Sequence, residues 1–171
     1  FLYAIAFVGG FAVPRQLDGP PSAPLGTALA IDVALLGVFA VQHSVMARRW
    51  FKERWTQIIP WTIERSTYVL CASLALLLVF WQWRPIGIEI WSVENPIGQI
   101  ALWAAFALGW ATVLVSTFLI NHFDLFGLRQ VYLNLRGKPY TQLRFRTPIF
   151  YKYVRHPLYL GWLFAFWATP T

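Results

Sequence analysis

The chain has 171 residues, of which 58% are hydrophobic, 18% are aromatic and only 12% are charged. A soluble domain carries about 25% charged residues, so this composition excludes an ordinary soluble fold and predicts an all-α, polytopic membrane protein. The net charge is +7, but the sequence contains no basic–aromatic nucleic-acid module. The charge therefore implies anionic lipid headgroups, and not a nucleic acid, as the partner.

Apolar segments along the chain predict about five transmembrane helices. The first, residues 1–13, is shorter than the roughly 20 helical residues that cross a bilayer, and we interpret it as the tail of a helix cut at its N-terminus. The others cover residues 25–41, 67–83 and 97–120, and a segment from 158 onward that stops inside a hydrophobic stretch. We therefore expect residues 1–171 to form a single transmembrane domain that is truncated at both ends.

The connections between these segments differ in charge. Residues 42–66 and 121–157 contain twelve of the fourteen basic residues, so the positive-inside rule places both connections in the cytoplasm. We also expect cytoplasmic interfacial helices, one of them with Thr147 as its N-cap and Pro148 at its first position. This orientation is typical of a multi-pass protein of a bacterial cytoplasmic membrane.

All three histidines fall at the cytoplasmic ends of predicted spans. Histidine transfers protons near neutral pH, so the shared depth of His43, His122 and His156 predicts a site that faces the cytoplasm. The alternative for each is a simple hydrogen bond to terminal carbonyls or headgroups. We predict no metal, because no helical His-x-x-x-His or Glu-x-x-His pair occurs. Asp32 is the one acid inside a span, and we interpret it as a hydrogen-bonded structural group rather than a functional one.

The most specific motif lies at the last junction between loop and span. It resembles the Arg-His-Pro-x-Tyr-x-Gly signature of the membrane methyltransferases that include isoprenylcysteine carboxyl methyltransferase and bacterial phospholipid N-methyltransferases. The resemblance implies S-adenosylmethionine as the cofactor, and a pocket built partly from this motif. Arg155 can hold the carboxylate of that molecule, and nearby tyrosines can offer aromatic faces to its sulfonium. The expected cofactor-binding residues are Tyr151, Arg155, His156, Pro157, Tyr159 and Gly161.

A simpler interpretation of the same segment is an interfacial belt, in which Arg155 and Lys152 meet lipid phosphates. That interpretation explains the composition but not the tight spacing of the motif.

Three more stretches, residues 42–48, 64–70 and 121–130, resemble the nurim-type branch of these methyltransferases, and within it the members that methylate small thiols. The resemblance implies conversion of methanethiol to dimethyl sulfide. Members of the family continue into another hydrophobic segment and an acidic Glu-Glu stretch that helps to close the cofactor pocket. Neither is present here, so we expect part of the pocket to lie outside residues 1–171.

Methylation of a thiol requires the sulfur to be aligned and deprotonated. We therefore predict His122 or His43 as the base, Asp124 as the residue that orients one of them, and Arg65 as the positive charge that stabilises the thiolate. The oligomeric state stays open. Three alternatives also stay open: a lipid amine or prenylcysteine carboxylate as the methyl acceptor, a non-enzymatic nurim-like membrane protein, and a transporter or electron-transfer subunit.

Overall fold

A computed structural model describes residues 1–141, 154 and 156–170. Within these ranges every regular element is a helix, which confirms the predicted all-α class. The helices are α1 (Leu2–Gly9), α2 (Leu25–Ala47), α3 (Arg49–Trp55), α4 (Trp61–Gln82), α5 (Pro96–Ile120), α6 (His122–Leu125), α7 (Leu128–Leu135) and α8 (Pro157–Trp167).

Three helices, α2, α4 and α5, are long and apolar enough to cross a membrane, with 23, 22 and 25 residues. Two of them are longer at the predicted cytoplasmic end than the apolar runs alone indicate. Helix α2 continues past His43 to Ala47, and α4 begins at Trp61 instead of residue 67. The first turns of α4 contain charged residues, and these have partners: Glu64 pairs with Lys52 at 3.7 Å, and Arg65 pairs with Asp124 in α6.

The first and last apolar helices are shorter. Helix α1 has eight residues and is capped by Gly10, which adopts φ 72°, and α8 has eleven residues with Pro157 at its first position. Both fall below the roughly 20 residues that a span requires, so the described residues show three candidate spans and the arrangement of five stays a prediction. The interfacial helix expected at Thr147 and Pro148 lies outside the described residues.

The helices pack mainly as two antiparallel pairs, α2 with α4 and α5 with α8. Helix α1 joins the two pairs, since the rings of Phe7 and of Phe80 in α4 lie 4.8 Å apart. Phe1, which precedes α1, contacts Trp110 in α5 at 5.3 Å. The core is a cluster of buried apolar side chains from α1, α5 and α8 with the residue that follows α8: Phe7, Val8, Phe106, Trp110, Ala165 and Ala168.

The two ends of the α2–α4 pair carry different polar contacts. At one end, the buried Asp32 carboxylate accepts a hydrogen bond from the backbone N–H of Arg84 at 2.9 Å, as expected for a structural acid. Trp83 donates its indole N–H to the Leu17 carbonyl nearby, at 3.0 Å. The opposite end holds His43, Arg65 and the turn that follows α5, and therefore the predicted catalytic residues.

Candidate active site

A tight reversal of the chain after α5 places two of the predicted catalytic residues. Asn121 ends α5 with φ 107°, and its side-chain oxygen caps α6 by accepting a hydrogen bond from the Asp124 N–H at 3.1 Å. Gly127 follows with φ 77°, and a Cβ there would lie 2.5 Å from the backbone nitrogen of Ser66 in α4. Only glycine permits both that conformation and that approach, so this turn lies directly against the backbone of α4.

The carboxylate of Asp124 is the centre of a hydrogen-bonded cluster, and its residue is only 9% exposed. Arg65 donates to Oδ2 at 3.1 Å and to the Asp124 carbonyl at 3.0 Å. Arg129 donates to Oδ1 at 3.2 Å, and the Tyr140 hydroxyl donates to the same oxygen at 3.1 Å. Gln130 adds its amide N–H at 3.3 Å. One carboxylate thus accepts from two guanidinium groups, which leaves the cluster with a net positive charge.

The structure therefore brings Arg65 and Asp124, two of the predicted catalytic residues, into direct contact. The Arg65 side chain is 38% exposed, so its charge is accessible to a small anion while Asp124 fixes its position. A cleft of about 390 Å³ borders the cluster through Gln130 and Tyr140, and Trp61 also lines it. Sites for small molecules typically have volumes of about 300–1,000 Å³.

His122 lies two residues before Asp124 and is held among aromatic rings. Its imidazole stacks on Phe118 with ring centres 4.3 Å apart and planes 7° apart, and Phe126 lies 4.6 Å away. Its Nδ1 lies 2.9 Å from the Thr117 hydroxyl, which itself donates to the Leu114 carbonyl at 2.7 Å. Because that hydroxyl has only one proton, Nδ1 must donate to it, and Nε2 is then the nitrogen that can accept a proton.

His43 has a more open position in the last turns of α2. The Tyr68 hydroxyl lies 2.9 Å from its ring nitrogens, and Phe39 contacts the ring at 5.4 Å. Tyr68 follows Arg65 by one turn of α4, so His43 and Asp124 are bound to successive turns of the same helix. Both histidines thus hydrogen-bond hydroxyl groups, whereas the Asp124 carboxylate bonds arginine, glutamine and tyrosine. This is a different set of partners from the histidine that we expected Asp124 to orient.

The motif at the start of α8 divides into exposed and buried members. His156 and Tyr159 are exposed, with ring centres 5.5 Å apart. Pro157 is fully buried, and a Cβ at Gly161 would lie 2.9 Å from the backbone nitrogen of Val113 in α5. The exposed rings are available to a ligand, while the proline and glycine shape the junction. Two further residues of the predicted cofactor site, Tyr151 and Arg155, lie outside the described part of the chain.

Helix α5 contacts both the motif at the start of α8 and the predicted base His122. Val113 packs against the α8 motif, and Thr117, one turn later, holds His122. Sequence reasoning missed five side chains that hold the predicted catalytic residues in place. Tyr68, Arg129 and Gln130 could have been found, because all three lie within stretches that carry the family resemblance. Nothing in the sequence singled out Thr117 or Tyr140.

Comparison with known proteins gives close relatives along almost the whole chain. It is 63% identical over 169 residues to a methanethiol S-methyltransferase of Crocosphaera subtropica, a match that covers 99% of this chain and 66% of that protein. It is 62% identical over 170 residues to a methanethiol S-methyltransferase of Mycobacterium tuberculosis, covering 99% of this chain and 70% of that protein. The chain thus spans about two thirds of the length of these relatives.

A more distant relative is nurim of Xenopus laevis, 32% identical over 150 residues, which cover 83% of this chain and 52% of that protein. No protein-family model matches the chain. No solved structure matches it either. On the strength of the close relatives, the chain belongs to the methanethiol S-methyltransferase family, a family of methyltransferase enzymes.

Proposed function

We propose that the protein transfers a methyl group from S-adenosylmethionine to methanethiol, forming dimethyl sulfide, at a site that faces the cytoplasm. The observation that carries this proposal is the identity of 63% and 62%, over 99% of the chain, to two proteins named methanethiol S-methyltransferase. In this proposal residues 1–171 act as one transmembrane domain with five helices in a bacterial cytoplasmic membrane. The three apolar helices that could span a bilayer support the membrane location.

The residues around the site fit the proposed cofactor. S-adenosylmethionine, when bound, supplies an electrophilic methyl group on a sulfonium. The exposed rings of His156 and Tyr159 are suited to face that cation. Among the described residues, the buried atoms Ser66 Oγ and Gln130 Oε1 have no hydrogen-bond partner. Such groups are normally satisfied by water or by a ligand, and both adjoin the Asp124 cluster.

The proton of the thiol needs an acceptor, and His122 has the better geometry of the two histidines. Thr117 leaves its Nε2 as the accepting nitrogen, and the rings of Phe118 and Phe126 limit the access of water to the imidazole. Arg65, fixed by Asp124, supplies positive charge for the thiolate that forms. The chain's own part in this proposal is therefore to take the proton, to stabilise the thiolate and to hold both reactants in line.

Membranes that contain the protein test this function when they are incubated with methyl-labelled S-adenosylmethionine and separate acceptors. We expect labelled dimethyl sulfide in the headspace gas when methanethiol is the acceptor, and strong loss of that signal in Arg155→Ala and Tyr159→Ala. Arg136→Ala is the matched control, because Arg136 is exposed at the end of α7 and lies outside the candidate site.

The other outcomes each contradict the proposal in a different way. Transfer of the label to lipid amines or to a prenylcysteine carboxylate would change the acceptor but keep the chemistry. Absence of transfer to every acceptor, together with no binding of S-adenosylhomocysteine, would assign the chain to a non-enzymatic role like that considered for nurim.

A further inference from the structure

Helix α7 is amphipathic, but its apolar face is exposed and its polar face points inward. A helix on the surface of a soluble domain has the opposite arrangement. The apolar residues of α7 recur at positions i, i+3, i+4 and i+7, which lie on one face of a helix, and that face points outward. The exposed fractions are 54% for Leu128, 38% for Val131, 58% for Tyr132 and 81% for Leu135.

The polar face of α7 points inward. Arg129 and Gln130 both donate to the Asp124 carboxylate, and Gln130 is only 6% exposed. The inner face is therefore occupied by the cluster at the candidate site. Contact of these four exposed apolar side chains with water would be unfavourable, so the outer face favours an apolar environment.

The outer face of α7 continues an apolar surface that begins on α5. Helix α5 is apolar enough to cross a bilayer, and the surface at its last turns and along α6 is also exposed and apolar. Its members are Phe118 (54% exposed), Ile120 (48%), Phe123 (59%) and Leu125 (38%). Exposed apolar side chains on a membrane span face lipid, and every exposed residue from Phe118 to Leu128 is apolar.

Positive charge lies just beyond this face. Arg136 and Lys138 directly follow α7, and both are exposed. Basic side chains next to an apolar helical face are typical of helices that lie in the headgroup layer of a membrane with anionic lipids.

We propose that α7 lies in the cytoplasmic headgroup layer, with Leu128, Val131, Tyr132 and Leu135 inserted among the acyl chains of the phospholipid bilayer. The bilayer then forms the outer support of the Asp124 cluster, because the same short helix presents Arg129 and Gln130 to that carboxylate. This placement goes beyond the proposed methyl transfer and does not depend on it.

Spin labels on neighbouring positions of α7 test the proposal. In a Cys71→Ser background, Leu135→Cys and Asn134→Cys are labelled with a nitroxide, and the protein is reconstituted in vesicles of phosphatidylethanolamine and phosphatidylglycerol. The two positions differ by about 100° around the helix, and both are exposed, so Asn134 is the matched control. Collision rates with molecular oxygen, which concentrates in lipid, and with a water-soluble nickel chelate are then measured.

We expect the ratio of oxygen to nickel collisions to be several-fold higher at position 135 than at position 134. A nickel collision rate at position 135 equal to or above that at 134 would place the face in water and overturn the proposal. Exclusion of both reagents with an immobilised spectrum would show that protein covers the face, and would also overturn it. Val131→Cys gives a second reading on the same face, should the label at position 135 prevent folding.

Discussion

At the scale of single residues, Asp124 permits two guanidinium groups to lie close together. Without its carboxylate, the partly exposed Arg65 and Arg129 would repel each other. At an effective dielectric constant of about 20, two unit charges roughly 4 Å apart interact by about 4 kcal/mol before the cost of desolvation. The carboxylate therefore has a structural role as well as the electrostatic one of orienting Arg65.

Removal of this charge should lower stability strongly. We expect Asp124→Asn to reduce the free energy of unfolding by about 3 kcal/mol, because a partly buried ion pair loses one partner and leaves the arginines uncompensated. The matched control is Glu53→Gln, which breaks the exposed pair with Arg49 at 2.8 Å and should cost at most about 0.5 kcal/mol. Denaturation of the detergent-solubilised variants measures both values. Similar losses for the two variants would show that the Asp124 cluster contributes no more than a surface pair.

A second prediction at the scale of residues concerns His122 and His43. Replacement of the catalytic base by glutamine should lower turnover by about 10²–10⁴-fold while it leaves cofactor affinity nearly intact. We expect the larger loss for His122→Gln, since Thr117 sets its tautomer, and a smaller loss for His43→Gln. The loss should shrink as the pH rises, because free thiolate then forms without help.

The measurement is the pH–rate profile of each variant at saturating cofactor. Parent-like activity of both variants near neutral pH would exclude histidine as the base and leave the charge of Arg65 as the activating device. A larger loss for His43→Gln would instead assign proton transfer to the pair of His43 and Tyr68.

At the scale of helices, α5 and α8 approach each other through glycines. A Cβ at Gly161 would lie 2.9 Å from the Val113 nitrogen, and one at Gly109 would lie 2.5 Å from the Ala165 nitrogen. The obstructing atoms belong to the backbone, which cannot rotate out of the way as a side chain can. Gly161 of the family motif therefore sets the distance between two helices, in agreement with the small residues common at helix contacts in membranes.

An added methyl group should separate this pair. We expect Gly161→Ala to destabilise the protein by about 1–3 kcal/mol, the usual cost of overpacking a close contact. Gly37→Ala in α2 is the matched control, because a Cβ there meets nothing within 4 Å and alanine favours the helix by up to about 1 kcal/mol. Thermal unfolding of the purified variants distinguishes them. A Gly161→Ala protein as stable as Gly37→Ala would show that the helices can move apart freely.

The helices themselves were largely predictable from apolar runs, but their polar ends and contacts were not. The start of α4 was placed too late because Glu64 and Arg65 are typical of a loop unless partners such as Lys52 and Asp124 are known. The position of helix α7 was not predicted, because its apolar residues lie within a basic connection between spans. Contacts between Asp124 and residues far away in the chain depend on how the helices pack, which local patterns do not reveal.

At the scale of the whole molecule, the polar groups lie in two layers separated by apolar helices. One layer holds Asp32 and the connection that begins at Arg84. The other holds the Asp124 cluster and the hydrogen-bonded histidines His43 and His122. Most basic residues also belong to the second layer or to the connections beside it. Because most of the basic residues accompany the candidate site, the positive-inside rule predicts that the site faces the cytoplasm, where the proposed cofactor would be supplied.

The orientation is the last prediction, and it concerns the molecule as a whole. Position 52 should face the cytoplasm and position 89 the opposite side, because basic connections are retained inside during insertion. In a Cys71→Ser background, Lys52→Cys and Glu89→Cys are treated in intact cells with a maleimide that cannot cross the membrane. We expect labelling at position 89 alone, and labelling at position 52 only after the cells are opened. Each position is the other's control, since Glu89 and Lys52 both lie in connections between candidate spans. Labelling of position 52 in intact cells would reverse the orientation and place the histidines and the Asp124 cluster on the outer side, away from the cytoplasmic pool of cofactor.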